Sequence, residues 1–435
     1  MMDRLIPLFG LGVLIAIAWL FSDARRRFPW HLVAWGLALQ VLFCLLVLGV
    51  PALGIGGPLR FLFEAANNAI NATIDFTLEG TRFMFGSLAD TDQSGFIMAV
   101  QVLPTIVFIG SLMSVLYHLH IMQKITNFFA VIMQKTMRTS GAETLAAAAN
   151  IFVGQTEAPL IIKPFVPSMT RSELLCVMIG GMANTAGGVM AAYVGLLRDR
   201  IPDIGGHLLT ASILSAPAAI LISKIIIPER EVPETFGRIP HEANRSPHAN
   251  VIDAAASGAS EGLMLALNVG AMLVAFIALM AMLNALLGQI GLWTGFEHWG
   301  QPLVPEALRV PGEPATLSLQ MLLGWVFAPI AWVIGIPSQE VVLAGALLGE
   351  KTVLNEFVAY LHLSDLSGRL SDRSFIILSY ALSGFANFSS IAIQIGGIAP
   401  LAPNRRGELA RLGLRAVLGG ALSTLMTAAV VSLFL

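Results

Sequence analysis

Four charged residues stand inside apolar sequence: Glu157, Glu350, Lys351 and Glu356. A charge at the centre of a bilayer costs from about 2.5 kcal/mol upward, so such residues mark sites or partners rather than filler. Neutral polar residues gather around them in the chain, at Asn150, Gln155, Thr156, Asn184, Thr185, Asn355, Asn387, Ser389 and Ser390. Glu157 and Glu356, which as carboxylates only accept hydrogen bonds, read as functional. Glu350 and Lys351 are adjacent and of opposite sign, and read first as a structural ion pair or hairpin-tip cap. The set suits a neutral ligand rich in hydroxyls. Glu356 with Asn387 and Ser390 can bind ribose-like hydroxyls, and Gln155, Thr156 and Glu157 offer donors and acceptors to a heterocycle edge. Phe385 or Phe388 could supply an aromatic face. Side-chain oxygens at Asn150 and Asn184 suit a hard monovalent cation. No basic cluster is placed to receive a carboxylate or phosphate, which disfavours anionic substrates.

Other chemistries are not written here. There is no G-x-S-x-G and no H-E-x-x-H run, and no nucleophile–base pair suggests itself, so no catalytic residue is assigned and no organic cofactor is expected. Cys44 and Cys176 lie in apolar segments and read as small core residues. Charged residues make up 12% of the 435, against roughly 25% in a soluble domain, while 56% are hydrophobic. Polar residues on that scale could not cover a soluble surface. Net charge is −2, with no basic domain, so nucleic acid is not an expected partner; the lipid bilayer is.

The elements that must position these residues are therefore membrane helices. A span needs about 20 apolar residues. Strong candidates are residues 5–21, 31–50, 96–117, 174–197, 208–227, 262–287, 375–398 and 412–435, about eight in all. Arg25, Arg26 and Arg27 after the first span set that loop inside and both termini outside. Lys124, Lys135, Arg138, Arg171, Arg230, Arg238, Arg245, Arg405, Arg406, Arg411 and Arg415 fall on the same inner side. Residues 59–88 set Phe61, Ile70, Ile74 and Phe76 against Asn67, Asn71, Asp75 and Glu79, the pattern of an interfacial amphipathic helix, and residues 120–137 are similar.

The chain also repeats itself. Residues 148–161 (AANIFVGQTEAPLI) match 344–357 (AGALLGEKTVLNEF), and 181–190 (GMANTAGGVM) match 384–393 (GFANFSSIAI), pairing Asn184 with Asn387. The first broken segment is entered from inside and the second from outside, which makes the repeat inverted. Gly154, Pro159 and the polar run between them break the helix, so residues 141–166 and 337–363 read as re-entrant hairpins. The expected organisation is one integral membrane unit over 1–435. It has N-terminal spans and an interfacial helix (1–95), repeat 1 (96–227), a cytoplasmic linker (228–260) and repeat 2 (261–435). The fold class is an all-α polytopic membrane protein with about eight transmembrane helices and two re-entrant helical hairpins. The residues alone leave open a carrier for some small polar solute, a channel or receptor, and a membrane enzyme.

Three runs, GQTEAPLIIKPF (154–165), NEFVAY (355–360) and ALSGFANFSSIAI (381–393), resemble the concentrative nucleoside transporter family, bacterial type, over residues 96–435. The resemblance implies nucleoside import driven by a cation gradient, usually sodium and in some members protons, in the cell inner membrane. It implies a homotrimer in which a transport domain carrying both hairpins moves against a scaffold as an elevator. By motif, Gln155, Thr156 and Glu157 would face the nucleobase, Glu356, Asn387 and Ser390 would hold the ribose, and Phe385 would lie beside the ligand. The Asn150 side chain, the Val153 carbonyl, the Asn184 side chain and the Thr185 carbonyl would bind sodium. The pattern departs at Asn184, where sodium-coupled members usually carry Ser or Thr.

Overall fold

The computed structural model describes residues 2–49, 54–240, 248–305, 308–309, 314–366 and 368–435. The end of the second expected span at residue 50, and residues 241–247 of the linker with Arg245, lie outside them. The described residues build helices and no strand, with one isolated bridge between Ser140 and Phe236. Helices α1 (Met2–Leu20), α2 (Trp30–Val47) and α3 (Arg60–Phe85) come first, then α4 (Leu103–His118) and α5 (Ile121–Met137). Next are α6 (Gly141–Ala149), α7 (Ala158–Ile161), α8 (Arg171–Ala183), α9 (Gly187–Leu197) and α10 (Ile204–Ile226). The long α11 (Val251–Thr294) leads to α12 (Leu319–Val333), α13 (Val341–Val353) and α14 (Glu356–Asp365). Helices α15 (Asp372–Leu382), α16 (Phe388–Ile398) and α17 (Arg406–Ser432) complete the chain.

Among the described residues, six helical stretches are long and apolar enough to cross a membrane: Trp30–Val47, Met98–His118, Arg171–Leu197, Ile204–Ile226, Val251–Thr294 and Pro403–Ser432. The other two expected spans differ for local reasons. The first contributes a shorter apolar helix, Ile6–Leu20, and the stretch 375–398 is divided at residues 383–387.

Five element starts recur at a nearly constant interval. Gly141 and Val341, Ala158 and Glu356, Arg171 and Asp372, Gly187 and Phe388, and Ile204 and Arg406 stand 198 to 202 residues apart. The sequence match of Asn184 with Asn387 is out of step with these elements. Asn184 ends α8, whereas Asn387 begins α16, accepting at 2.9 Å from the Ser390 N–H. Asparagine suits both ends of a helix break, as a cap that satisfies orphan backbone groups.

Local sequence explains where the helices begin. Ser140 with Glu143, and Thr170 with Glu173, form capping boxes at the starts of α6 and α8. The two boxes are linked, since Ser140 Oγ donates to Glu173 Oε1 at 2.5 Å and Lys224 Nζ lies 2.7 Å from Glu143 Oε2. The segment after α10, expected as a solvated linker, is in its first part a strap. The Gly141 and Ala142 N–H groups donate to the Thr235 carbonyl (2.9 Å) and hydroxyl (3.0 Å), and Thr235 is buried. Asp23, after α1, accepts from Arg415 at 2.7 Å with Arg171 at 3.5 Å, and the Arg415 hydrogen bond holds its carboxyl below the usual range.

Helix α3 keeps Ile74 buried and Asp75 and Glu79 exposed, as an interfacial helix would, but departs from that reading at Asn67 and the phenylalanines. Asn67 is buried, donating to the Pro202 carbonyl (3.2 Å) and accepting from the Gly206 N–H (3.3 Å), while Phe61, Phe76 and Phe83 are exposed. The amide docks α3 on the start of α10, leaving aromatic rings free to face lipid.

Helices α4 and α11 meet along a glycine seam. A Cβ at Gly258 would sit 2.4 Å from the Gly110 carbonyl oxygen, and one at Gly262 would sit 2.8 Å from that of Ile106. Small residues let backbones approach this closely where lipid provides no hydrophobic drive. Gly258→Leu is expected to force the pair apart at a cost of about 1–3 kcal/mol. The check is the thermal melting point of the purified protein in detergent, and a melting point equal to wild type would contradict the seam's structural weight.

Candidate functional site

Helical breaks bring the polar residues together. Between α6 and α7 the chain leaves helix at Asn150 and resumes at Ala158, so that Gln155, Thr156 and Glu157 sit on the turn. The Gly154 N–H donates to the Glu157 carboxylate, which closes the turn and leaves Glu157 exposed to the cleft. Between α13 and α14, Asn355 caps α14 by accepting from the Val358 N–H at 2.9 Å, and this sets Glu356 on the first turn. Between α15 and α16, Gly384 takes φ +109°, a conformation that disfavours any side chain. Its N–H donates to Thr185 Oγ1 at 2.8 Å, so the break at residues 184–186 meets the break at 383–387.

A cleft opens between these turns and α11. Its polar wall carries Gln155, Thr156, Glu157, Glu356, Asn387 and Ser390, with Phe385 beside them. Of the two candidate aromatics, Phe385 lines the cleft, and Phe388 is half exposed outside its lining. The opposite wall is apolar: Leu265, Val269, Met272 and Leu273 of α11. Asn387 Nδ2 donates to Glu356 Oε2 at 2.8 Å, and Gln155 Nε2 donates to Ser390 Oγ at 3.3 Å, joining the two halves of the chain. The Gln155 Oε1 oxygen is buried with no partner. A wall of this kind can accept from hydroxyls at Glu356 and accept from or donate to a ring edge at Gln155.

A second polar cluster lies behind the first. Asn150 is 1% exposed, and both polar atoms of its side chain lack a partner. Asn184 is equally buried; its Nδ2 donates to the Gly180 carbonyl at 3.2 Å, and its Oδ1 is unpartnered. A Cβ on Gly180 would lie 3.3 Å from Asn150 Nδ2, so the absent side chain lets the two amides converge. Val153 and Thr185 lie on the same turns. Buried, unsatisfied amide oxygens are costly unless a ligand completes them.

Glu350 and Lys351 do not pair with each other. Glu350 Oε2 lies 2.8 Å from His362 Nδ1, while Lys351 Nζ donates to the Ala381 carbonyl and to Thr424 Oγ1, both at 2.8 Å. Neighbours on a helix face different ways, which separates adjacent charges. The sequence reading missed Tyr193, whose hydroxyl donates to Glu356 Oε1 at 3.3 Å and whose ring stacks on Tyr360 with centroids 4.1 Å apart. It also missed Gln394, fully buried, donating from Nε2 to the Met178 carbonyl at 2.9 Å. A glutamine inside the apolar run 388–398 was the available signal for the latter; an aromatic in a span gave none for Tyr193.

Two family profiles described as Na+ dependent nucleoside transporter match the chain, the C-terminal one over residues 207–432 and the N-terminal one over 9–88. One described as nucleoside recognition matches 99–200. The nucleoside permease NupC of Helicobacter pylori is 40% identical over 443 residues, covering 100% of this chain and 98% of that protein. The chain belongs to the concentrative nucleoside transporter family. Sodium/nucleoside cotransporter 1 of Mus musculus is 34% identical over 98% of this chain and 63% of its own length. A solved structure of CNTnw in an inward-facing substrate-bound state superposes with a TM-score of 0.87 at 41% identity, covering 99% of this chain and 98% of that one. As a concentrative nucleoside transporter, the chain is a multi-pass membrane protein of nucleoside transport and not an enzyme. The likeness expected over residues 96–435 extends to the N-terminal segment as well.

Proposed function

We propose that this transporter is a sodium-coupled nucleoside symporter of the cell inner membrane, with the polar cleft as its nucleoside site. The observation that carries the reading is the Asn387–Glu356 hydrogen bond at the foot of a cleft whose other polar wall is Gln155, Thr156 and Glu157. A carboxylate held by an amide and by Tyr193 is fixed in position to accept from two sugar hydroxyls. Gln155, Thr156 and Glu157 then read the nucleobase edge, Ser390 supports the sugar, and Phe385 packs beside the ligand. Sodium binds the side-chain oxygens of Asn150 and Asn184 with the Val153 and Thr185 carbonyls. Support for this cation site is the pair of buried, unpartnered amide oxygens on either side of Gly180.

The membrane arrangement follows from charge and element order. About eight spans cross, with residues 141–166 and 337–363 as re-entrant hairpins of an inverted repeat, and both termini outside. The domains are residues 1–95, repeat 1 (96–227), a linker (228–260) and repeat 2 (261–435). In a homotrimer, the α4–α11 pair belongs to the scaffold, and the hairpins with α8–α10 and α15–α17 move as an elevator. The apolar α11 wall fits this motion, because a polar cleft can slide past it without breaking hydrogen bonds.

Uptake of radiolabelled uridine and adenosine into proteoliposomes, with sodium and proton gradients imposed separately, tests the reading. Uptake that follows the inward sodium gradient and vanishes when choline replaces sodium is expected. Uptake driven by a proton gradient in choline would replace sodium with protons, and no uptake of either nucleoside would assign the cleft to another small polar solute.

A further inference from the structure

The two halves of the chain treat the same place differently. Helices α8 and α15 occupy corresponding positions, and the tenth residue of each is Gly180 and Ala381. In the first half the Gly180 carbonyl accepts from Asn184 Nδ2 at 3.2 Å, and Asn150 Nδ2 lies 3.3 Å from where a Gly180 Cβ would sit. In the second half the Ala381 carbonyl accepts from Lys351 Nζ at 2.8 Å. Lys351 is the eleventh residue of α13, and Asn150 is the tenth position counted from the start of α6, so the two stand one step apart on corresponding elements. Lys351 is 2% exposed, and its ammonium is completed by Thr424 Oγ1 at 2.8 Å. Both sites lie at the C-terminal end of a half-helix, where the macrodipole and free carbonyls favour positive charge.

We propose that Lys351 is a tethered cation occupying in the second half the place that the coupled ion takes in the first. The argument rests on the proposed cation role of Asn150 and Asn184. An ammonium carried by the chain fills the second half-helix end permanently, so one exchangeable cation site per chain remains. The neighbouring Glu356 turn is thereby held in its binding position whether or not sodium is present, and the first half alone responds to the ion. An exchangeable ion at one end and a fixed charge at the other give a coupling that reports a single binding event.

The test is sodium dependence of uridine uptake by Lys351→Ala in proteoliposomes. Uptake at moderate sodium is expected to fall by about tenfold or more, because a buried hydrogen-bonded charge has been removed. The remaining uptake is expected to rise more steeply with sodium than in wild type, with the apparent Hill coefficient moving from about one toward two as sodium enters the vacated place. Ethylammonium, which resembles the missing side-chain end, should restore uptake at moderate sodium, and choline should not. Uptake equal to wild type overturns the proposal, as does a loss with unchanged Hill coefficient and no recovery in ethylammonium. If Lys351→Ala yields no monodisperse protein, Thr424→Val decides, since Lys351 stays in place there. A rise of about threefold or more in half-saturating uridine, with half-saturating sodium unchanged, supports the fixed charge, and unchanged uridine dependence overturns it. Wild-type uptake that ignores sodium would remove the sodium reading itself, and the ethylammonium arm would still report on Lys351.

Discussion

Glu356→Gln is expected to lower uridine uptake by about 10- to 100-fold, with most of the loss in apparent affinity. The substitution keeps the shape and removes the charge. The carboxylate now accepts from Asn387 Nδ2 at 2.8 Å and from the Tyr193 hydroxyl at 3.3 Å, one on each oxygen. Each oxygen keeps a further lone pair for a sugar hydroxyl. A glutamine that turns its oxygen to Asn387 gives its amide N–H groups to the Tyr193 hydroxyl, which accepts instead of donating, and the position facing the sugar hydroxyls loses one acceptor oxygen and its charge. A hydrogen bond to a charged group is worth about 1.5–3 kcal/mol, which sets the expected range when one is lost. Uptake measured against uridine concentration at saturating sodium checks the result. Near-normal half-saturation would remove Glu356 from the sugar site, and a loss that spares the 2′- or the 3′-deoxynucleoside identifies which hydroxyl it meets.

Asn150→Ala and Asn184→Ala are expected to raise half-saturating sodium by about tenfold each while half-saturating uridine at saturating sodium changes by less than about threefold. Both side chains carry a buried oxygen with no partner, and the Asn150 side chain makes no described hydrogen bond. Deleting an oxygen of the proposed cation site should therefore act on the ion before it acts on the nucleoside. Linkage makes the effect reciprocal, so at low sodium the uridine dependence must weaken as well, and the two curves must converge as sodium rises. Sodium titrations at several uridine concentrations, with melting temperature as a fold control, read this out. An unchanged sodium curve for Asn150→Ala would move the ion elsewhere. A change in Asn184→Ala alone would identify the Gly180 carbonyl bond, rather than ligation, as the function of Asn184.

Much of the site was legible because membrane sequence makes polarity conspicuous. Glu157, Gln155, Glu356, Asn387 and Ser390 stand out against apolar neighbours, and the cleft gathers all five. What one dimension hid was direction. Glu350 and Lys351 looked like a pair because they are adjacent, yet a helical step sends one to His362 and the other to Ala381 and Thr424. Asn67 looked like the wetted side of α3, and is instead a buried dock for α10, because a single amide can satisfy a carbonyl and an N–H at once. The duplicated motif set Asn184 beside Asn387 by letters, whereas helix starts 198 to 202 residues apart set one at a helix end and the other at a helix beginning. Tyr193 left no trace, since an aromatic ring in a span looks like packing until its hydroxyl is seen on Glu356.

The apolar α11 wall of Leu265, Val269, Met272 and Leu273 separates selectivity from speed. Dispersion contacts have no direction and little register, so a surface gliding over them meets a nearly level landscape. Under the proposed motion, enlarging Val269 adds friction and slows turnover at saturating substrate, while the groups that hydrogen-bond the ligand, all on the other face, stay in place. Evolution could thus retune the pace of such a carrier on one helix and its diet on another, with neither adjustment disturbing the other.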